Sequence, residues 1–399
     1  MMKVSPAVRR DANLSSVHFD AIRGFAALVV MMGHARVLFL KSFTGASQAH
    51  LSHSLPTTYG KMVAGNMAAN GNSIGHEAVM VFFVLSGFLV GGSVLKLMKR
   101  NAWSWQDYLV KRLTRLWMVL IPALLLGIIL DHAGMHVFSN PHSIYSGPVG
   151  QTLVAANLSG RYSLSIILGN LAFLQNICVP TAGTNVALWS LSNEFWYYMA
   201  FPLLLLGLHR GTAFWHRVIF TALFAGIMAG IGWHSSRLFL VWVLGAVLSV
   251  LPLKVPKPIA KWGAMFIAII LSLGFIWVKK HILNLAASEF IIALIFACLL
   301  YLLLHQRQKA KNGLYSFVAA ATAKMSYTLY LVHVPILIFL CACVNNPWRI
   351  WPATLPNIAV ITSVGGITIA FAFVFYLLFE ANTDLVRNYI TQKMVRRTA

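Results

Sequence analysis

Long apolar stretches separated by short polar segments dominate the chain. An α-helix needs about 20 apolar residues to cross the hydrocarbon core of a bilayer, and ten stretches approach or exceed this length. They lie near residues 19–40, 76–97, 109–130, 187–207, 213–232, 237–252, 260–278, 286–304, 315–343 and 356–380. The pattern predicts an all-α, polytopic integral membrane protein with about ten transmembrane helices.

An eleventh apolar stretch, 163–178, is shorter and is interrupted by Gly169, Asn170, Gln175 and Asn176. We interpret it as re-entrant or interfacial, because cytoplasmic segments should be rich in Lys and Arg. With ten spans and both termini in the cytoplasm, 23 of the 31 Lys and Arg residues lie on the inner side. An eleventh crossing would invert every later loop and break this rule.

The composition excludes a soluble domain of this size. Of the 399 residues, 59% are hydrophobic and only 10% are charged, and the mean hydropathy is +0.74. We therefore predict one membrane domain over 1–399, with outer loops at 41–75 and 131–161. The net charge of +22 follows from this topology and from attraction to anionic lipid headgroups, so no nucleic acid partner is expected.

No metal site is expected either. The four cysteines lie in or beside apolar segments and lack the spacing of metal ligands. His132 and His136 lie four residues apart beside Asp131, but a zinc ion needs three or four convergent ligands.

A cation and an imidazole share one face of the first predicted helix. In RGFAALVVMMGH, residues 23–34, Arg23 and His34 enclose ten uncharged residues. Eleven positions amount to about three helical turns, so the two side chains lie on one face, roughly 16 Å apart along the axis. The pair could therefore address a charged group near one membrane surface and a reactive group deeper in the membrane.

A carboxylate lies inside the otherwise apolar stretch LWSLSNEFWYYMAFPLLLL, residues 188–206. Polar residues are costly inside a span, so they mark candidate functional positions. Ser190 precedes Glu194 by one turn and Tyr198 follows it by one turn, which makes a polar stripe. The predicted topology places this stripe at a depth similar to that of His34, so a base and an acid could meet across two helices.

Two arginines open the third predicted span in KRLTR, residues 111–115. Guanidinium groups bind phosphates bidentately, and Arg112 and Arg115 lie about one turn apart inside the helix start. For these two we favour phosphate binding. For the basic residues within 96–100 we favour a role in topology and headgroup binding.

Five segments follow one another in a distinctive order along the chain. They are HFDAIRGFAALVVMMGHA (18–35), VFFVLSGFLV (81–90), KRLTR (111–115), WSLSNEFWYYMAFPLLL (189–205) and SYTLYLVHVPI (326–336). Together they resemble the successive signatures of the membrane acyltransferase-3 family, which includes bacterial O-antigen and Nod-factor O-acetyltransferases. The order and spacing agree along nearly the whole chain.

The resemblance implies ten helices in the cell inner membrane and transfer of an acyl group to a hydroxyl of a glycan or glycolipid acceptor. The donor is usually acetyl-CoA, and no metal is implied. Carried over to this sequence, the resemblance makes His34 the catalytic base. It assigns Arg23, Arg112 and Arg115 to the donor side, where the paired arginines engage the phosphates of CoA.

Three positions depart from the family's pattern. The acid that often precedes the FFVLSGF run is Met80 here, with Glu77 a turn earlier. The proline that usually follows the paired arginines is Met118, and the second acid after WSLS is Phe195. A role shared between two carboxylates therefore rests on Glu194 alone or recruits Glu77.

A sugar hydroxyl must lose its proton as it attacks a thioester, and imidazole suits that work. Glu194, the second predicted catalytic residue, could orient this imidazole, stabilise its charged form or hold acceptor hydroxyls. We predict substrate contacts for Trp189, Ser190, Tyr330 and His333. For His333, which could line the acyl tunnel, structural hydrogen bonding is an equal alternative.

Two other functions are compatible with the pattern. A proton-coupled secondary transporter of a small anionic or sugar-like solute would also use intramembrane Arg, His and Glu, without consuming acyl-CoA. A lipid-binding or scaffold protein would tolerate the loss of His34. Within enzymes, succinyl or longer acyl groups fit as well as acetyl, because no residue fixes the tunnel length. We interpret Ser86, in the SGF turn, as a helix-contact residue rather than a nucleophile.

Overall fold

The computed structural model describes residues 14–40, 74–146, 153–155, 157–252, 255–281, 285–305 and 313–398. The regular elements in these ranges are helical, which confirms the all-α prediction. The α-helices are α1 (Leu14–Phe39), α2 (Ile74–Ser86), α3 (Gly92–Lys99), α4 (Trp105–Val137), α5 (Leu164–Leu171), α6 (Leu188–Leu208), α7 (Phe214–Gly230), α8 (Gly232–Leu248), α9 (Lys257–His281), α10 (Leu285–Leu304), α11 (Leu314–Val344), α12 (Leu355–Leu378) and α13 (Thr383–Thr398). Residues 41–73 of the predicted first outer loop lie outside the described residues.

Helices occur at all ten stretches that were predicted to cross the membrane. By length and composition, six helical segments in the described ranges could cross a membrane, and a seventh could if α7 and α8 form one broken span. The axes of α7 and α8 differ by 119° at Ile231–Gly232, where Gly232 has a φ of +79°. A multi-pass membrane protein is confirmed, whereas ten crossings and cytoplasmic termini stay predictions.

Two segment boundaries refine the sequence-based assignment. Helix α4 continues to Val137, so the first residues of the predicted outer loop 131–161 are helical. The interrupted stretch 163–178 contains only α5, whose eight residues extend about 12 Å and are too short to cross a bilayer. Turns connect α5 to α6, as expected for a segment that does not span.

Helix α11 forms the centre of the bundle and packs along α1, α4 and α12. The contact with α1 is close because Gly24 has no side chain: a Cβ there would lie 2.2 Å from Oγ1 of Thr322. Hydrogen-bond contacts between the two helices extend from Arg23 and Ala323 to Leu38 and Cys341. This packing brings the histidine of α1 beside the histidine of α11.

The SGF segment crosses α8 with its backbone in direct contact. A Cβ on Gly87 would lie 1.8 Å from the carbonyl oxygen of Trp242, and one on Gly245 would lie 2.0 Å from that of Val84. A π-helical turn, Gly87–Gly91, connects α2 to α3 at this crossing. Such turns are frequent at functional sites, and this one forms part of the wall described next.

Candidate active site

A cavity enclosed by α1, α2, α4, α6 and α11 gathers most of the predicted site residues. Its polar lining consists of Arg23, Ser86, Arg112, Arg115, Ser190, Glu194, Tyr198, Ser326, Tyr327 and Tyr330. The apolar lining comes from α2, α6 and the π-helical turn. The predicted base, His34, does not line this cavity. Its neighbour His333 has its ring 5.0 Å from that of His34 and 5.9 Å from that of Tyr330, which does line the cavity.

The structure pairs His34 with His333. Nδ1 of His34 lies 2.9 Å from Nε2 of His333, and Nδ1 of His333 lies 2.8 Å and 3.1 Å from the carbonyl oxygens of Tyr330 and Leu329. A carbonyl only accepts, so the proton of neutral His333 is on Nδ1 and its Nε2 is an acceptor. His34, which also has a hydrogen bond to the backbone of Val30, must then donate to His333 from Nδ1, so the lone pair of its neutral ring is on Nε2.

A hydrogen bond from outside the helix anchors α11 two residues before His333. Pro335 lacks an N–H, so the carbonyl of Leu331 loses its helical partner. The side-chain amide of Asn185 donates to that carbonyl at 2.8 Å and anchors α11 to the segment before α6. His333 is fully buried, whereas His34 is partly exposed, so the residue with the vacant lone pair is the accessible member of the pair.

Three arginines face one end of the cavity. Nη2 of Arg23 donates to the carbonyl of Ala323 at 3.0 Å and lies 3.6 Å from Oδ1 of Asp20. The guanidinium of Arg112 lies 5.4 Å and 5.6 Å from the ring centres of Tyr108 and Tyr198, which places it between two aromatic faces.

Two of these arginines have an N–H donor without an acceptor among the described residues. The Nε atoms of Arg23 and Arg112 are buried and have no hydrogen-bond partner among the described residues. Arg115 is exposed at the cavity wall. Buried donors normally have acceptors, so this end of the cavity suits an anion with several oxygen atoms.

Glu194 belongs to a separate hydrogen-bond network. Its Oε1 accepts from Oγ of Ser86 at 2.8 Å and from the hydroxyl of Tyr198. Nε1 of Trp242 donates in turn to Oγ of Ser86 at 3.1 Å. Ser86 therefore extends into the cavity, and the adjacent glycine makes the helix contact. The carboxylate is held by these donors, and the imidazole of His34 is held by another histidine.

The predicted substrate contacts divide into two groups. Ser190 and Tyr330 both line the cavity, and their hydroxyl oxygens lie 2.6 Å apart. Trp189 lies outside the lining, with its ring stacked on that of His76 at 5.7 Å and edge-on to Phe83 at 6.4 Å. In the structure one face of this indole is thus covered by a protein side chain.

One carboxylate near the arginines was not predicted from the sequence. Glu380 follows α12, and its Oε2 accepts from the backbone N–H and the hydroxyl of Thr328, at 3.2 Å and 2.5 Å. An acid directly after a long apolar run was the available signal, but nothing in its spacing connected it with a motif. Within the described ranges, no group of three or more His, Cys, Asp or Glu side chains could hold a metal ion.

The arrangement combines an imidazole with a vacant lone pair, a cavity beside it and a cationic end that suits phosphates. A family model described as an acyltransferase domain matches residues 17–377 of this chain, from the first turn of α1 to the end of α12. No curated protein and no solved structure matches the chain. The matched region contains the histidine pair, the arginines and the Glu194 network, and the chain belongs to the acyltransferase-3 family of membrane acyltransferases.

Proposed function

We propose that this protein transfers an acyl group, usually acetyl, from cytoplasmic acyl-CoA to a hydroxyl of an extracytoplasmic or membrane-linked glycan. The observation that carries the proposal is the hydrogen bond between His34 and His333. It leaves one nitrogen of a partly exposed imidazole free to accept a proton, next to a cavity with three arginines at one end. The distribution of basic residues supports a cytoplasmic location for that end.

The donor would enter by its phosphates. The nucleotide part of CoA is anionic and does not cross a bilayer, so we place it at Arg23, Arg112 and Arg115. Its flexible pantetheine arm then extends along the apolar wall of α2 and the π-helical turn, toward Tyr330. This route brings the thioester to the region of the histidine pair while the charged head stays at the membrane surface.

The proton transfer follows from the tautomers. Nε2 of His34 takes the proton of the acceptor hydroxyl as the hydroxyl oxygen attacks the thioester carbonyl. The tetrahedral intermediate collapses with cleavage of the C–S bond, and the CoA thiolate takes the proton back from Nε2. Throughout, Nδ1–H of His34 donates to Nε2 of His333, which fixes the ring and stabilises its charged form.

Three further polar side chains have roles in this proposal. The hydroxyls of Ser190 and Tyr330 line the cavity and share a hydrogen bond. When Ser190 donates in that bond, the hydroxyl of Tyr330 keeps its own proton and can donate it to the carbonyl oxygen as it gains charge. Glu194 accepts hydrogen bonds from the hydroxyls of Ser86 and Tyr198. The second bond fixes the ring of Tyr198, and the guanidinium of Arg112 lies over that ring. The contacts of Glu194 support a positioning role on the donor side.

The test uses purified full-length protein in phospholipid nanodiscs, with acetyl-CoA labelled in the acetyl group and a glycan extract as acceptor. We expect release of free CoA thiol together with labelled ester on the glycan, detected by mass spectrometry. The His34→Gln variant is the matched control and should give neither product. Consumption of acetyl-CoA without an ester product, or equal ester formation by both proteins, would contradict the proposal.

A further inference from the structure

A second group of ionisable side chains lies where α2, α8 and α10 meet. Oε1 of Glu289 accepts from Nε2 of His76 at 2.7 Å, and its Oε2 accepts from Nη2 of Arg237 at 2.9 Å. The same Nη2 lies 3.2 Å from Nδ1 of His234, and the rings of His76 and His234 stack at 6.4 Å. We call these four residues the Glu289 cluster.

The cluster holds more polar groups than a helix-joining ion pair requires. Glu289 is fully buried, and a charge buried in a membrane protein needs a partner. Arg237 alone would supply that partner. Two histidines are added, and the Nε–H of Arg237 is buried without a hydrogen-bond partner among the described residues. His234 is exposed and the side chain of His76 is 20% exposed, so the cluster is accessible from outside the bundle.

The cluster continues the same face of α2 that forms the cavity wall. Val79, Phe83 and Ser86 line the cavity, and His76 precedes them at the same helical spacing of three and four residues. His76 and Ser86 are about 15 Å apart along the helix. Because α3 and the start of α4 follow α2, the cluster lies at the end of α2 opposite to the arginines.

Trp189 connects the cluster with the reaction region. Its ring stacks on His76 and touches Phe83, while the next residue, Ser190, is hydrogen-bonded to Tyr330. A molecule bound at the cluster would thus lie against an indole edge and beside the hydroxyls nearest to the histidine pair. An aromatic ring next to Arg, His and Glu side chains is a combination that suits a polyhydroxylated ring.

We propose that the Glu289 cluster and Trp189 form the acceptor subsite, which binds a saccharide ring. The saccharide packs an apolar patch against the edge of the Trp189 ring, and its hydroxyl oxygens accept from Arg237 and His234. Glu289 holds Arg237 and His76 in place. This inference rests on the proposed function, since it names the site at which the glycan acceptor is bound.

Tryptophan fluorescence provides a direct binding test. The full-length protein in phosphatidylcholine nanodiscs, free of glycoside detergent, is titrated with methyl glucoside, methyl galactoside, methyl mannoside and N-acetylglucosamine. We expect a saturable change in emission with at least one of them. Trp189→Leu should abolish the change, and Arg237→Lys should weaken binding about tenfold through loss of the Nε–H and the planar fork.

Matched controls separate a specific effect from a general one. Trp233 is 81% exposed on α8, and Arg217 donates from Nε to the carbonyl of Gly207 on α6. Trp233→Phe and Arg217→Gln should therefore bind the saccharide as the wild type does. The double variant Arg237→Gln, Glu289→Gln removes both charges together, so it avoids an uncompensated buried carboxylate and should fold while losing saccharide binding.

Each outcome bears on the subsite separately from the reaction. Wild-type affinity in the double variant, or no saturable response of the wild type to any of the four sugars, would overturn the subsite. His34→Gln should bind the sugar normally, because His34 is not part of the cluster. If His34→Gln still transfers acetyl groups while Arg237→Lys loses sugar binding, the result contradicts His34 as the base and supports the subsite.

Discussion

The histidine pair and the Glu194 network lie in the same bundle and differ in how their polar atoms are hydrogen-bonded. In the histidine pair, each Nδ1–H donates and one nitrogen, Nε2 of His34, keeps a vacant lone pair. In the network, Glu194 receives the hydroxyls of Ser86 and Tyr198, and Ser86 also accepts from Trp242. The lone pair of His34 is on the ring nitrogen that does not contact His333, whereas Glu194 is anchored through Oε1, the oxygen that accepts from both hydroxyls.

This difference teaches which variants should change the chemical step and which should change donor binding. The histidine pair contacts the cavity through Tyr330, on the side where the thioester carbonyl would lie. The Glu194 network supports Tyr198, whose ring lies 5.6 Å from the guanidinium of Arg112. We therefore expect kcat to follow the histidines and the KM for acyl-CoA to follow the network.

The largest effect should come from His34→Gln. Loss of a positioned general base removes on the order of a hundredfold to ten-thousandfold in rate. The variant should insert normally and keep its affinity for acyl-CoA, because Arg23 is roughly 16 Å away along α1. Turnover of purified protein and binding of a non-hydrolysable acyl-CoA analogue measure the two quantities. Turnover above about a tenth of the wild-type value would remove His34 from the role of base.

Arg112→Ala should raise the KM for acetyl-CoA by about tenfold or more, because a hydrogen bond to a charged group contributes about 1.5 to 3 kcal/mol. Arg112→Lys should restore part of this loss, since lysine keeps the charge and lacks the fork. Steady-state kinetics at saturating acceptor give KM and kcat separately. A fall in kcat at unchanged KM would place Arg112 with the histidines in the chemical step and would contradict its assignment to donor binding.

His333→Leu should lower kcat by roughly fivefold to thirtyfold, the equivalent of a hydrogen bond of about 1 to 2 kcal/mol. His333→Gln should be less affected, because its amide oxygen can still accept from Nδ1–H of His34. The diagnostic quantity is the ratio of the two kcat values at unchanged KM for acetyl-CoA. Equal losses in both variants would show that His333 only fills space.

The smallest effect should come from Glu194→Gln. A neutral amide oxygen still accepts from Ser86 and Tyr198, and the lost charge weakens these bonds by about half. We expect a KM for acetyl-CoA raised by less than about tenfold and a kcat close to that of the wild type. If kcat instead falls by more than about a hundredfold, Glu194 takes part in the chemical step, as it would if it stabilised the charged imidazole.

The sequence prediction was strongest where the signal is local. Arg23, Arg112, Arg115, Ser190 and Glu194 were all singled out from motifs, and the structure brings these five to one cavity. The Glu289 cluster was not predicted. His234 and Arg237 lie one turn apart on α8, but His76 and Glu289 come from two other helices and belong to no shared motif, so nothing along the chain connected the four.

The sequence by itself determined the helices and the residue types they carry. Apolar runs of this length form helices in a membrane because each backbone group finds its partner within the same segment. The pairing of side chains was decided by tertiary structure alone. His34 and His333 are 299 residues apart, and Ser86 and Glu194 are 108 apart. Which polar groups meet depends on how closely helices approach, and that is set by contacts such as Gly24 against Thr322 and Gly87 against Trp242. Local periodicity does not encode these contacts, so a base and an acid predicted at similar depth acquired different partners.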